Sequence, residues 1–131
     1  MTQNNHLRIL VADNEEVVRE LFARYLGNSK HTVDLAASGS ECLKQMADAS
    51  YDLVFLDLVM PDVDGETALA RMRRKYPDTH VVVVSSQDDD RVISHLLGQG
   101  ATAYLTKPFT REHVVDVVRK VERARVGDEV E

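Results

Sequence analysis

Four reactive side chains each stand at or just after the end of a short apolar run. They are the carboxylates of Asp13 and Asp57, the hydroxyl of Ser85 and the ammonium of Lys107. A carboxylate can accept a phosphoryl group, and phosphoryl transfer mainly requires that the phosphoryl oxygens are positioned and neutralised. An ammonium and a hydroxyl can each cover a separate oxygen. The set therefore indicates a carboxylate site for phosphoryl transfer.

These side chains meet if the apolar runs are parallel strands of one sheet, because the carboxyl ends of such strands lie along one edge. Apolar runs alternate along the chain with segments of helical spacing. The strands are predicted at 7–12, 32–36, 52–57, 81–84 and 103–105, and the helices at 14–26, 38–47, 66–75, 89–97 and 111–123. The near-continuous apolar third and fourth strands are typical of strands covered on both faces. The prediction is an α/β domain: a three-layer, doubly wound (βα)5 arrangement around a parallel five-stranded sheet.

Composition narrows the class of protein. The 131 residues fit one domain, predicted at 1–125 with a polar tail at 126–131, and the net charge of −6 argues against direct binding of nucleic acid. The single cysteine, Cys42, cannot form an internal disulfide, and the N-terminus lacks the pattern of a signal peptide. No apolar run reaches the roughly 20 residues of a membrane span. We expect a cytoplasmic protein that does not enter a membrane.

Four motifs, in order, match one known family. Each motif alone is weak, but four at matching strand ends are specific. They are ILVADNE at 9–15, DLVMP at 57–61 with Asp64-Gly65, Ser85-Ser86, and YLTKPF at 104–109. The chain resembles, from Leu7 to Arg123, the receiver domain of two-component response regulators.

The resemblance implies a flavodoxin-like sheet of order 2-1-3-4-5 and a phosphorelay switch that depends on Mg²⁺. The phosphoryl group would pass to Asp57, so the protein would be a phospho-acceptor and not a turnover enzyme. The implied metal ligands are Asp13, Asp57 and the backbone carbonyl of Val59, with Asn14 as a weak ligand. The implied phosphate-binding and switch residues are Ser85, Ser86, Lys107 and Tyr104, and the peptide bond before Pro108 is expected to be cis.

The resemblance also implies partners. The phosphoryl donor would be a histidine kinase or a histidine phosphotransfer protein. The fourth helix, the last strand and the last helix would form the face that binds a downstream protein or a covalently linked output domain. A phosphorylation-dependent homodimer is also open.

One position departs from the family pattern. The family usually has two adjacent acids after the first strand, whereas Asn14 follows Asp13 here. Two carboxylates and Lys107 give a formal charge of −1, where the usual pattern gives −2. Since a hard cation prefers a carboxylate to an amide, weaker Mg²⁺ binding is expected. Glu15 could compensate, but complementing the helix dipole is its expected role. A phosphorylation-independent interaction module therefore stays open as the alternative function.

Other chemistries fit less well. A flavin-binding carrier of this fold would need a phosphate loop rich in hydroxyl residues and glycine after the first strand, but the chain has DNEE at 13–16. A hydrolase with an Asp-x-Asp motif would need an acid two residues after Asp57, where Val59 stands. Asp62 and Asp64 are predicted to cap the helix that follows them. The acids at 88–90 are expected to complement a helix N-terminus, and Cys42 to be an inert core residue.

Overall fold

The structure, a computed structural model, describes the backbone of residues 6–130 and the side chains of residues 6–124. Strands and helices alternate through this part of the chain, as predicted. The strands are β1 (Arg8–Ala12), β2 (Thr32–Ala36), β3 (Leu53–Asp57), β4 (His80–Ser85) and β5 (Ala103–Thr106). The helices are α1 (Glu16–Leu26), α2 (Gly39–Asp48), α3 (Gly65–Lys75), α4 (Asp90–Gly98) and α5 (Arg111–Val130). Apart from the end of α5, the observed and predicted boundaries differ by at most two residues.

The end of the last helix was predicted wrongly. The sequence pattern ended it near Arg123, but α5 continues to Val130. No proline lies between these two residues to remove a backbone donor, and a single glycine is tolerated within a helix. Side chains from residue 125 onward lie outside the described part, so the division into a domain at 1–125 and a tail at 126–131 stays a prediction.

All five strands pair in parallel, in the order β2-β1-β3-β4-β5. The sheet is therefore flavodoxin-like, with the predicted order. β1 and β3 lie inside the sheet, and β3 is buried along its whole length. This explains the continuous apolar run of β3, since both of its faces are covered by helices.

The two faces of the sheet carry separate cores because alternate residues of a strand point to opposite sides. Leu10 and Val54 belong to the core under α2, α3 and α4, whereas Ile9 and Phe55 belong to the core under α1 and α5. In the second core, the ring of Phe22 packs 4.7 Å from that of Phe55. These cores fix the sheet edge at which the reactive residues stand. Within the described residues, no helix has the length and apolarity needed to cross a membrane.

Candidate functional site

The four reactive residues come together at one edge of the sheet. Asp13 directly follows β1, Asp57 is the last residue of β3, Ser85 is the last of β4, and Lys107 directly follows β5. The register pairs Asp57 with Val84, one residue before Ser85, so these strands end at nearly the same level. The backbone of Lys107 is tied to this edge, because its N–H donates to the Ser85 carbonyl at 2.8 Å. The convergence predicted from the strand ends is present.

The Lys107 ammonium lies among three carboxylates. Its Nζ is 3.1 Å from Asp13 Oδ2, 3.0 Å from Glu15 Oε1 and 3.7 Å from Asp57 Oδ2. Burial acts to lower the pKa of Lys107, but the hydrogen bond to Glu15, the close approach of the Asp13 carboxylate and the charges of Asp13 and Asp57 raise it overall. The peptide bond between Lys107 and Pro108 is cis, as the resemblance implied.

Asp57 is a buried carboxylate whose two oxygens lie in different surroundings. Its side chain is 5% exposed, and Oδ1 accepts a hydrogen bond from the Val59 N–H at 3.1 Å. Burial, and then the negative charge of Asp13, raise the pKa of Asp57 to about 6, against the opposing effects of the Val59 hydrogen bond and Lys107. The carboxylate is therefore costly to ionise in the metal-free site, which favours binding of a positive charge there.

Asp13 has the second buried carboxylate, with a side chain only 2% exposed. Its Oδ1 accepts the Glu15 N–H at 2.9 Å, and the Arg19 guanidinium donates to its backbone carbonyl at 2.8 Å. Its Oδ2 accepts no hydrogen bond and forms an ion pair with Lys107 Nζ at 3.1 Å. A buried carboxylate oxygen that accepts no hydrogen bond calls for an explanation, and a second cation at this position would provide one.

The donor set fits a hard divalent cation. Two buried carboxylates stand side by side, one with an oxygen that accepts no hydrogen bond and the other with a raised pKa. Oxygen ligands of this kind suit Mg²⁺. Asn14 is exposed and forms no side-chain hydrogen bond to another described residue, and Val59 lies beside Asp57 in the loop after β3.

Glu15 belongs to the crevice, although the sequence favoured another role for it over compensation for Asn14. The expected role was helix-dipole complementation, but its carboxylate reaches across the crevice to Lys107. With Glu15 included, three carboxylates and one ammonium carry a formal charge of −2. The count of −1 made from the sequence alone therefore understated the negative charge of the crevice.

A hydrogen-bonded chain links the end of β4 to Tyr104. The buried hydroxyl oxygen of Ser85 accepts the Gln87 N–H at 3.1 Å, and the Gln87 carbonyl accepts the Tyr104 hydroxyl at 2.8 Å. Tyr104 is half-buried with its hydroxyl outward on this loop, and Ser86 is exposed. Gln87 takes part through its backbone, so its residue type gave no signal in the sequence.

The loop after β3 is held close to the site by Gly65 and by two capping carboxylates. A Cβ on Gly65 would stand 2.6 Å from the Asp57 carbonyl oxygen, so only glycine lets α3 begin this close to the strand end. Asp64 caps α3 through the Thr67 N–H, as predicted. Asp62 does not cap that helix: its carboxylate accepts the N–H groups of Gly39 and Ser40 at 3.0 Å and caps α2 instead. The prediction for Asp62 was therefore wrong.

Two further expectations concerned residues outside the crevice. Asp89 caps α4 by accepting the Arg91 N–H at 2.8 Å, so at least this acid of the run 88–90 serves a helix N-terminus. Cys42 is fully buried, and burial raises the pKa of its thiol to about 12. It is a core residue, as expected.

Known proteins with similar sequences are transcriptional regulatory proteins and response regulators. The response regulator receiver domain family model matches residues 9–119. The transcriptional regulatory protein ResD of Bacillus subtilis is 32% identical over 115 residues, which make up 88% of this chain and 48% of ResD. TcrA of Mycobacterium tuberculosis, also a transcriptional regulatory protein, is 35% identical over 119 residues, covering 89% of this chain and 46% of TcrA. The chain spans about half the length of these curated relatives.

Solved structures resemble the whole fold. A two-component response regulator from Clostridium difficile superposes with a TM-score of 0.84 at 26% identity, covering 88% of this chain and 95% of that one. The signal receiver domain of an HD domain-containing protein from Pseudomonas fluorescens Pf-5 gives a TM-score of 0.89 at 24% identity, covering 100% and 97%. The second likeness concerns the fold alone. Since the family match runs from β1 into α5 and includes Asp13, Asp57, Ser85 and Lys107, the chain belongs to the response regulator receiver domain family of two-component signal transduction.

Proposed function

We propose that this receiver domain is a phosphorelay switch in which Asp57 accepts a phosphoryl group from a histidine kinase or a histidine phosphotransfer protein. The observation that supports this most strongly is the state of the Asp57 carboxylate. It is buried at the end of β3, where Oδ1 accepts the Val59 N–H and Oδ2 lies 3.7 Å from the Lys107 ammonium. The domain is then a phospho-acceptor and not a turnover enzyme, and it acts in the cytoplasm.

The proposed step makes one bond and breaks one. Asp57 Oδ2 attacks the phosphorus of a phosphohistidine, and an O–P bond forms while the P–N bond breaks with its electron pair staying on the imidazole. The attacking group must be the carboxylate. With a pKa raised to about 6, Asp57 is mostly ionised at neutral pH yet poorly solvated, which suits a nucleophile.

The surrounding residues position and neutralise the phosphoryl oxygens. Asp13, Asp57 and the Val59 carbonyl would hold Mg²⁺, with the Asn14 amide as a weak ligand. When bound, this ion supplies positive charge to the phosphoryl oxygens. Lys107 covers a second oxygen with its ammonium, and the Ser85 hydroxyl donates to a third.

The signal leaves through the loop after β4. Drawing the Ser85 hydroxyl toward a phosphoryl group removes the acceptor of the Gln87 N–H, and the Gln87 carbonyl is what holds the Tyr104 hydroxyl outward. Tyr104 then turns inward, as a population shift between two packings. The face formed by α4, β5 and α5 changes with it and binds a downstream protein, a linked output domain or a second copy of the chain.

Intact mass after incubation with a small-molecule phosphodonor tests the proposal. Wild-type protein with Mg²⁺ should gain the mass of one phosphoryl group, and protein in chelator should gain little. Asp57→Asn should gain none, while Asp116→Asn, an exposed change on α5, should behave as wild type. A mass gain that persists in Asp57→Asn would show that another residue is the acceptor.

A phosphorylation-independent interaction module is the second candidate, because Asn14 replaces the second acid of the family pattern. It predicts no mass gain in wild-type protein with or without Mg²⁺. Binding of a partner would then be the same for wild type and Asp57→Asn.

A further inference from the structure

The position of Glu15 gives the crevice a feature that its sequence motif does not. The Lys107 ammonium lies 3.0 Å from Glu15 and 3.1 Å from Asp13, but 3.7 Å from Asp57. The cation is thus shared chiefly by the two acids next to α1. Glu15 caps α1 only through its backbone, because its side chain accepts no capping hydrogen bond.

The Glu15–Lys107 pair changes how much negative charge the buried acids can offer. Without Glu15, the ammonium would be neutralised by Asp13 and Asp57 alone. With Glu15 as a partner, these two carboxylates keep more of their charge for a second cation. Asp13 is the buried acid that shares the ammonium with Glu15, since its side chain is 2% exposed and its Oδ2 lies 3.1 Å from Lys107 Nζ without accepting a hydrogen bond.

We propose that Glu15 supplies the negative charge that Asn14 does not, and that it does so as a positioning residue, by holding Lys107. This inference rests on the proposed function, because it concerns the affinity of the phosphorylation site for Mg²⁺. Glu15 need not touch the metal ion. With its carboxylate counted, the crevice has a formal charge of −2. The family pattern gives the same value, from two adjacent acids, the acceptor aspartate and the lysine.

The competing explanation is that Glu15 only complements the helix dipole. Glu16 provides the matched control, because it stands in the first turn of the same helix, is exposed, and forms no ion pair with another described residue. A dipole effect would be similar at both positions, and it would change stability more than metal affinity. An effect through Lys107 belongs to Glu15 alone.

Calorimetric titration with Mg²⁺ separates these explanations without using phosphorylation as the readout. Glu15→Gln should weaken binding by about three- to tenfold, a modest factor because the Glu15 side chain is 58% exposed and therefore partly screened. Glu16→Gln should stay within about twofold of wild type, as expected for a solvated charge. The double variant Asn14→Asp with Glu15→Gln has the wild-type charge and should bind at least as tightly as wild type.

Three results would overturn the inference. They are equal affinities for Glu15→Gln and Glu16→Gln, a double variant that binds as weakly as Glu15→Gln, and wild-type protein with no measurable affinity for Mg²⁺. The intact-mass assay, run in parallel, keeps the two proposals apart. A wild-type protein that accepts no phosphoryl group but obeys the predicted order of affinities would refute the switch and retain the role of Glu15. Normal phosphorylation with unchanged affinity in Glu15→Gln would refute the role of Glu15 alone.

Discussion

Replacing Asp57 by asparagine should stabilise the metal-free domain, by an amount that grows as the pH rises. The amide keeps an oxygen that can accept the Val59 N–H but removes a buried charge beside Asp13. The pKa of Asp57 is raised from 3.8 to about 6 by burial and by that neighbouring carboxylate. The folded protein therefore binds this proton more tightly than the unfolded chain does.

The sign and size of the effect follow from this difference. The stability that protonated Asp57 provides is fully present below the unfolded-state pKa of 3.8, and it is lost as the pH rises through 3.8 and on through about 6. At about 1.4 kcal/mol per pKa unit, the complete loss is about 3 kcal/mol. About 2 kcal/mol of it falls between pH 4.5 and 7.5, because the folded protein still holds most of its proton at the lower pH.

Urea unfolding at pH 4.5 and 7.5, in buffer with a chelator, measures this directly. The gain in unfolding free energy of Asp57→Asn over wild type should be about 2 kcal/mol larger at pH 7.5. Taking the difference between two proteins cancels the titration of distant groups such as His31. Asp116→Asn, on the exposed side of α5, should show no such trend. A gain that is equal at both pH values, or smaller at pH 7.5, would refute the electrostatic account of Asp57.

Three further outcomes are expected. Ser85→Ala should still permit phosphorylation of Asp57 but should abolish the accompanying amide chemical-shift changes around Tyr104 and α5; unchanged shifts would exclude Ser85 as the relay. Gly65→Ala should lower the free energy of unfolding by about 1–3 kcal/mol, because its Cβ would meet the Asp57 carbonyl at 2.6 Å; a neutral result in urea unfolding would contradict that contact. Burial lowers the pKa of His31, although the hydrogen bond that its ring donates to the Glu122 carboxylate acts to raise it. The stability that neutral His31 provides is therefore complete above pH 6.5 and is lost as the pH falls. His31→Gln should therefore reduce the loss of unfolding free energy as the pH falls below 6.5, measured by urea unfolding. An unchanged loss would show that the titration of His31 does not contribute to it.

The sequence alone determined the sheet and the residues that meet at its edge. Short apolar runs that alternate with segments of helical spacing mark the strands, and in a parallel sheet the strand ends share one edge. Asp13, Asp57, Ser85 and Lys107 could therefore be placed together without coordinates. Capping by Asp64 was predictable because it is a local interaction: the Thr67 N–H that it accepts lies only three residues away in the chain.

Other features depended on contacts between residues far apart in the chain. Lys107 and Glu15 are 92 residues apart, and only the tertiary structure, which brings the residues after β1 and after β5 to the same sheet edge, decides that their side chains meet. Asp62 caps α2, more than 20 residues before it in the chain, because the loop after β3 folds back on that helix. The raised pKa of Asp57 likewise comes from burial next to Asp13, a condition set by the tertiary structure. The positions of the strand ends determine which residues reach the edge, but the side-chain pairing and solvation there are set by neighbours that no local pattern encodes.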